Sequence, residues 1–112
     1  MSHQPKIIVN AQRVPITTSN SPDEPGVYSI DPSNPFILVN TEGGGAVAKL
    51  PPASMCPGQQ ICVKRTGGPD ENVVTIIGDT FELIDGETNF RLAHAFAFVT
   101  FLSTGEGWFV IG

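Results

Sequence analysis

An all-β domain is the fold class this sequence predicts, and three observations predict it. Short apolar runs of strand length alternate with turn-forming punctuation from residue 27 to the end of the chain. Glycine and proline are plentiful, 12 and 10 of the 112 residues, which suits many tight turns and leaves few stretches long enough for a helix. Several runs also alternate apolar and polar residues with the period of two that a sheet imposes. Together these point to a compact β-sandwich, jelly-roll-like, of short antiparallel strands with an extended N-terminal arm. A chain of this length buries roughly two-thirds of its unfolded surface, enough for one core, so a single domain is expected.

The arm spans residues 1–20. It holds two β-branched runs, 6–9 with Ile7, Ile8 and Val9, and 14–18, into which Pro15 is set. Proline brings no N–H to a ladder and is confined to edges or irregular paths, so the segment reads as an arm rather than a central strand. Turn chemistry over 19–26 marks the passage into the body at 21–112. The arm, through Ile7, Ile8, Val9 and Arg13, is the candidate for gripping a larger assembly by strand addition.

In the body, about nine runs follow at short intervals, the density of a sandwich or barrel. They cover 27–30, 36–39, 46–50, 60–64, 73–77, 81–84, 90–92, 96–102 and 108–111. No repeat of solenoid period is evident. In the fourth run Ile61 and Val63 face one way and Cys62 and Lys64 the other, as in a strand solvated on one side. Phe81 and Leu83 follow the same logic ahead of a hairpin turn expected at Asp85 and Gly86. The run 96–102 departs from it: Ala97, Val99 and Phe101 share one face, and Phe96, Phe98, Thr100 and Leu102 the other. A strand apolar on both sides is an aggregation hazard when left exposed, so it needs a partner. Phe96, Phe98 and Leu102 are therefore assigned to a self-association interface. Trp108, opening the terminal strand, is assigned there too, with the packed interior as its other place, in preference to stacking on a sugar.

Charge and motif chemistry exclude several functions. Eleven acidic residues stand against six basic ones, and the cations Lys6, Arg13, Lys49, Lys64, Arg65 and Arg91 are scattered. Nucleic-acid binding needs clustered cations, so that partner is not expected. The apolar run near the N-terminus is far shorter than a signal peptide or a membrane span, so synthesis in the cytoplasm and no membrane partner are expected. Cys56 and Cys62 have no neighbouring His or Cys to complete a metal set and are expected to be reduced thiols. Asp79, Glu82, Asp85 and Glu87 match no calcium-loop spacing and read as turn chemistry rather than as a Ca²⁺ site or a glycosidase pair. Glu42-Gly43-Gly44-Gly45 lacks the Gly-Lys-Ser/Thr of a phosphate loop and reads as a hairpin turn. His94 has no nucleophile elbow to serve and reads as a strand-end residue. The chain is expected to have no catalytic site, no cofactor and no metal, and not to be an enzyme.

Along the chain come Leu50-Pro51-Pro52-Ala53, Pro57-Gly58-Gln59, Ile61-Cys62-Val63-Lys64, Gly67-Gly68, Val74-Thr75-Ile76, Ile84-Asp85-Gly86, Val99-Thr100-Phe101 and Gly107-Trp108-Phe109-Val110-Ile111-Gly112. This order resembles a small β-domain widespread in bacteriophage virion proteins, in tail fibres and spikes and as stand-alone capsid-decorating or head-fibre proteins. The resemblance runs from Val14 to Gly112 and implies a compact β-sandwich that trimerises on a virus particle. Two departures bear on its role. Phe96 and Phe98 make the outer face of the penultimate strand less polar than is usual in the family, and an arm stands where a fibre would have a shaft. The first implied function is therefore a homotrimeric decoration or cement protein on the outer capsid surface, with the major capsid protein of the phage head as partner. The alternative is a receptor- or glycan-binding knob of a tail fibre, needle or head fibre, with loops 70–72 and 104–106 facing a host-surface glycan or protein. A depolymerase is not expected from a chain this short.

Overall fold

The structure is a computed structural model that describes the backbone of Ala11–Val14 and residues 27–41 and 44–112. Nine strands are present among the described residues: β1 (Ala11–Val14), β2 (Val27–Ser29), β3 (Phe36–Asn40), β4 (Ala46–Lys49), β5 (Gln60–Gly67), β6 (Val74–Ile77), β7 (Asn89–Leu92), β8 (Phe98–Ser103) and β9 (Trp108–Val110). The described helix is a single 3-10 turn, Ala53–Met55. The all-β expectation holds. The described residues have a radius of gyration of 13.1 Å, close to the ~13 Å of a compact chain of about a hundred residues.

Two sheets form, a five-stranded one in the order β1-β3-β5-β8-β9 and a four-stranded one in the order β2-β4-β6-β7. Successive strands from β1 to β6 alternate between the sheets, so neighbours within a sheet are two apart in sequence and run parallel: β1 with β3, β3 with β5, β2 with β4 and β4 with β6. The last strands then reverse, β7 antiparallel to β6, β8 to β5 and β9 to β8. This corrects the expected antiparallel, jelly-roll-like order, which is built from antiparallel Greek keys. Alternation along a strand fixes which side faces the core but carries no information about direction. The winding also leaves no period in the sequence, because its turns differ in length: Phe36 pairs with Cys62, whereas Val27 pairs with Val47 and Ala46 with Val74.

The core lies between the sheets. From the five-stranded sheet come Ile37, Val39, Ile61, Val63, Val99 and Phe101, and from the other Ala46, Ala48, Val74, Ile76 and Leu92, all in one buried cluster. Each fully buried aliphatic or aromatic side chain contributes ~1.5–3 kcal/mol relative to leaving it in water. Phe90 on β7 meets Phe101 on β8 edge to face, with ring centroids 5.9 Å apart, which joins the layers. The expected inward pair Ile61 and Val63 is fully buried, and the same face continues to Arg65 at 0% exposure.

The N-terminal expectation is resolved only in part. Ile7, Ile8 and Val9 lie outside the described residues, as does the boundary drawn at residue 20. Ala11–Val14, which follows the first run read as extended and takes in the first residue of the second, pairs with β3 at the edge of the five-stranded sheet, and Arg13 stands in register with Leu38.

The run 81–84 is not a strand. Glu82 N–H donates to the Asp79 carbonyl at 2.8 Å, closing a turn in which Thr80 takes a φ of +49°. Extended pairing is lost there. Phe81 and Leu83 are exposed and Ile84 is the residue buried. The expected turn at Asp85 and Gly86 is present: both have positive φ, and Ile84 and Glu87 exchange backbone bonds of 2.8 Å across it, the geometry of a two-residue hairpin loop.

Candidate interaction surface

The outer face of the five-stranded sheet is assembled from side chains of four strands, and the register sets them in rows. Phe36 lies opposite Cys62 and Cys62 opposite Thr100, with Ile111 N–H donating to the Thr100 carbonyl at 2.9 Å beyond. In the next row Leu38 lies opposite Lys64 and Lys64 opposite Phe98. A third row runs from Gln60 to Leu102 to Phe109. Phe98, Phe109 and Ile111 are about half exposed, at 57%, 51% and 48%. Gln60 is exposed, and Phe36, Leu38, Cys62, Lys64, Thr100 and Leu102 are half-buried by their neighbours. The result is a mainly apolar sheet face, of the kind that marks an interaction site when its patches are contiguous.

Within this face Phe36, Ile37, Leu38, Cys62, Lys64 and Phe98 line an apolar hollow of about 160 Å³. Lys64 Nζ lies 5.5 Å from the Phe98 ring centroid, within cation–π range, so the ammonium covers the ring while its stem lies along the sheet.

The four residues assigned to self-association fall in three places. Phe98 and Leu102 are on this face, as alternation predicts. Phe96 precedes the strand, in a turn closed by Ala97 N–H donating to the His94 carbonyl at 3.1 Å; it is 64% exposed with a φ of +66°. The left-handed region costs a residue with a Cβ ~1–2 kcal/mol, and a bulky residue held there is an outlier of the type that clusters at functional surfaces. Trp108 is corrected. At 1% exposure it lies in the packed interior and offers no surface to a partner, because β9 turns Trp108 inward and Phe109 outward. Phe36, Leu38, Phe109 and Ile111 were not assigned from sequence, although the alternation of 108–111 already carried the signal for the last two.

The loops named for glycan contact do not converge. Gln60 pairs with Leu102, so the loop after β8 lies beside the start of β5, whereas loop 70–72 follows the end of β5. They occupy opposite ends of the body. Asn72 is committed to its own fold, donating from Nδ2 to the Thr41 carbonyl at 2.7 Å.

The carboxylates near residue 80 serve local structure. Glu82 accepts from Ala53 N–H with both oxygens, at 3.0 and 3.2 Å. Asp85 Oδ1 accepts from Val110 N–H at 3.0 Å, and Asp79 lies 3.9 Å from Lys49. His94 meets Asp70 at 3.4 Å with both side chains largely in solvent, a pair worth little. Cys56 and Cys62 are free, and burial pushes the Cys56 thiol above its ordinary pKa. Among the described residues no three His, Cys, Asp or Glu are grouped to hold a metal ion, and no helix is long and apolar enough to cross a membrane. No protein-family model matches the chain, and no curated protein matches it at a significant level.

Proposed function

We propose that this protein is a structural virion module of β-sandwich type: a homotrimeric decoration or cement protein that docks on the outer surface of a phage head. The observation that carries the assembly part of this reading is the outer face of the five-stranded sheet, where Phe98, Leu102, Phe109 and Ile111 lie exposed or half-buried on the same side as an apolar hollow. A face of that character is better buried against another surface than left in water. The order of short motifs from Leu50 to Gly112 supports the virion part.

No chemistry is required of such a protein. It contributes by mass action, since a chain that binds only the assembled shell stabilises that shell. The N-terminal segment, including Ile7, Ile8, Val9 and Arg13, is assigned to the major capsid protein, and β1 at the sheet edge is where a further strand would add. The alternative role, a knob binding a host-surface glycan, is disfavoured by the separation of loops 70–72 and 104–106.

The test is co-sedimentation of purified protein with undecorated capsids and, separately, with host cells. Binding to capsids in multiples of three per threefold position supports the decoration role. Binding to cells alone replaces it with the receptor-binding role.

A further inference from the structure

At the end of the body opposite loop 68–73, the turn between β6 and β7 carries Phe81 with 91% of its surface in solvent. An isolated phenyl ring displayed this far from the core contributes nothing to the chain's own packing. The turn that presents it is nonetheless fixed. Glu82 is tied to Ala53 N–H, Trp108 N–H donates to the Leu83 carbonyl at 3.1 Å, and Asp79 faces Lys49. A rigid aromatic on a well-anchored turn has the character of the anchors that dominate protein interfaces.

We infer that Phe81 of one copy seats in the hollow on the outer sheet face of a second copy, giving a head-to-tail contact; this rests on the self-association proposed above and specifies how it is made. Size agrees, because a dry apolar cavity of about 150 Å³ takes up benzene and the hollow measures about 160 Å³. Charge agrees as well. The segment 79–87 holds Asp79, Glu82, Asp85 and Glu87 and no Lys or Arg, while among the described residues that line the hollow the charged one is Lys64.

Position agrees too. Phe81 extends from the end of the four-stranded sheet, and the hollow opens on the outer face of the other sheet, so one chain cannot satisfy itself. A contact between unlike surfaces is heterologous. It closes into a ring when its rotation divides the circle, as in a trimer, and otherwise runs on as an open chain. An end-to-face contact turns each copy sharply against the next, which favours a small closed ring.

The test uses size-exclusion chromatography with light scattering on the full chain. Phe81→Ser removes the projecting ring and leaves the core untouched, and Lys64→Glu sets a negative charge in the hollow against the acidic turn. Each variant alone is expected to fall to the single-chain mass while keeping the wild-type circular dichroism spectrum. Mixed together they are expected to form a heterodimer of twice the chain mass, because Phe81→Ser retains an intact hollow and Lys64→Glu an intact ring. Phe81→Ser that assembles like the wild type, or a mixture that stays monomeric, overturns this inference and leaves the self-association reading standing. A wild-type monomer removes both. Phe81→Lys, read in the same way, checks that the effect does not depend on the substituent.

Discussion

Arg65 Nη2 donates to Thr41 Oγ1 at 3.1 Å, and both residues are fully buried. The same nitrogen reaches the Pro69 carbonyl at 2.9 Å and the Gly68 carbonyl at 3.3 Å, and Thr41 Oγ1 in turn donates to the Gly67 carbonyl. Among the described residues no carboxylate pairs with this guanidinium; carbonyl and hydroxyl oxygens hold it. The cluster closes loop 68–72 onto the end of β3. It also requires Gly68, where φ is +100° and a Cβ would stand 2.4 Å from Thr41 Oγ1. Arg65→Ala leaves several buried acceptors without donors, at ~1–3 kcal/mol each when fully desolvated, and is expected to cost ~2–4 kcal/mol in urea denaturation. Arg65→Lys is expected to recover only part of that, because an ammonium lacks the planar fork. A loss below ~1 kcal/mol for the alanine variant would show that water replaces the guanidinium at no cost.

Glu82 joins the Phe81 turn to the 3-10 turn through its two bonds to Ala53 N–H. A hydrogen bond to a charged group is worth ~1.5–3 kcal/mol, and this one is partly buried. Glu82→Ala is expected to fall near the lower end of that range by thermal denaturation and to weaken self-association beyond its effect on folding. Dilution in light scattering reads the second effect, which a purely local role would not produce.

Trp108 distinguishes interior from interface. Trp108→Ala empties a large core volume and is expected to cost ~3–5 kcal/mol. Trp108→Phe keeps most of the apolar contact and removes an indole N–H that has no partner among the described residues, so its cost is expected to be clearly smaller. Both variants act on unfolding free energy. Phe98→Ser, by contrast, acts on mass.

Alkaline pH is expected to destabilise the fold. Tyr28 is held above its ordinary pKa of 10.0, chiefly by desolvation and then by Asp31. Cys56 is held above 9.0, chiefly by burial, with Glu82 adding to it and a hydrogen bond from Ser103 opposing it. Both groups are neutral acids favoured by folding, so their contribution is complete below the unfolded pKa values and is lost as pH rises through the folded ones. Urea midpoints are expected to fall as pH is raised from ~8 to ~11, and less in Tyr28→Phe. A midpoint independent of pH over that interval contradicts this assignment.

Much of the fold was legible because its signals are local. The alternation around Ile61 and Val63, and the turn at Asp85 and Gly86, each need only neighbouring residues to be read, and each is where the sequence places it. Strand direction is set by which sheet the chain enters next, and no single run encodes that. Arg65 was missed because a charge ending a strand ordinarily points to water, and only the carbonyls of a distant loop make its inward path tolerable. The pattern around Phe81 predicts a strand because β-propensity cannot register the bond from Glu82 N–H to the Asp79 carbonyl that bends the chain. Of the candidate surface, Phe98 and Leu102 followed from apolar character on both faces of one strand. The hollow did not, because its walls come from β3, β5 and β8.

We propose that the outer face of the five-stranded sheet is an interface between copies of this chain. The most direct test is the absolute mass in solution of the wild-type protein and of Phe98→Ser. Three times the 11.9 kDa chain mass is expected for the wild type and the single-chain mass for the variant, with the variant still folded. A wild type that remains at the single-chain mass throughout the micromolar range, or a Phe98→Ser trimer indistinguishable from it, would contradict the claim.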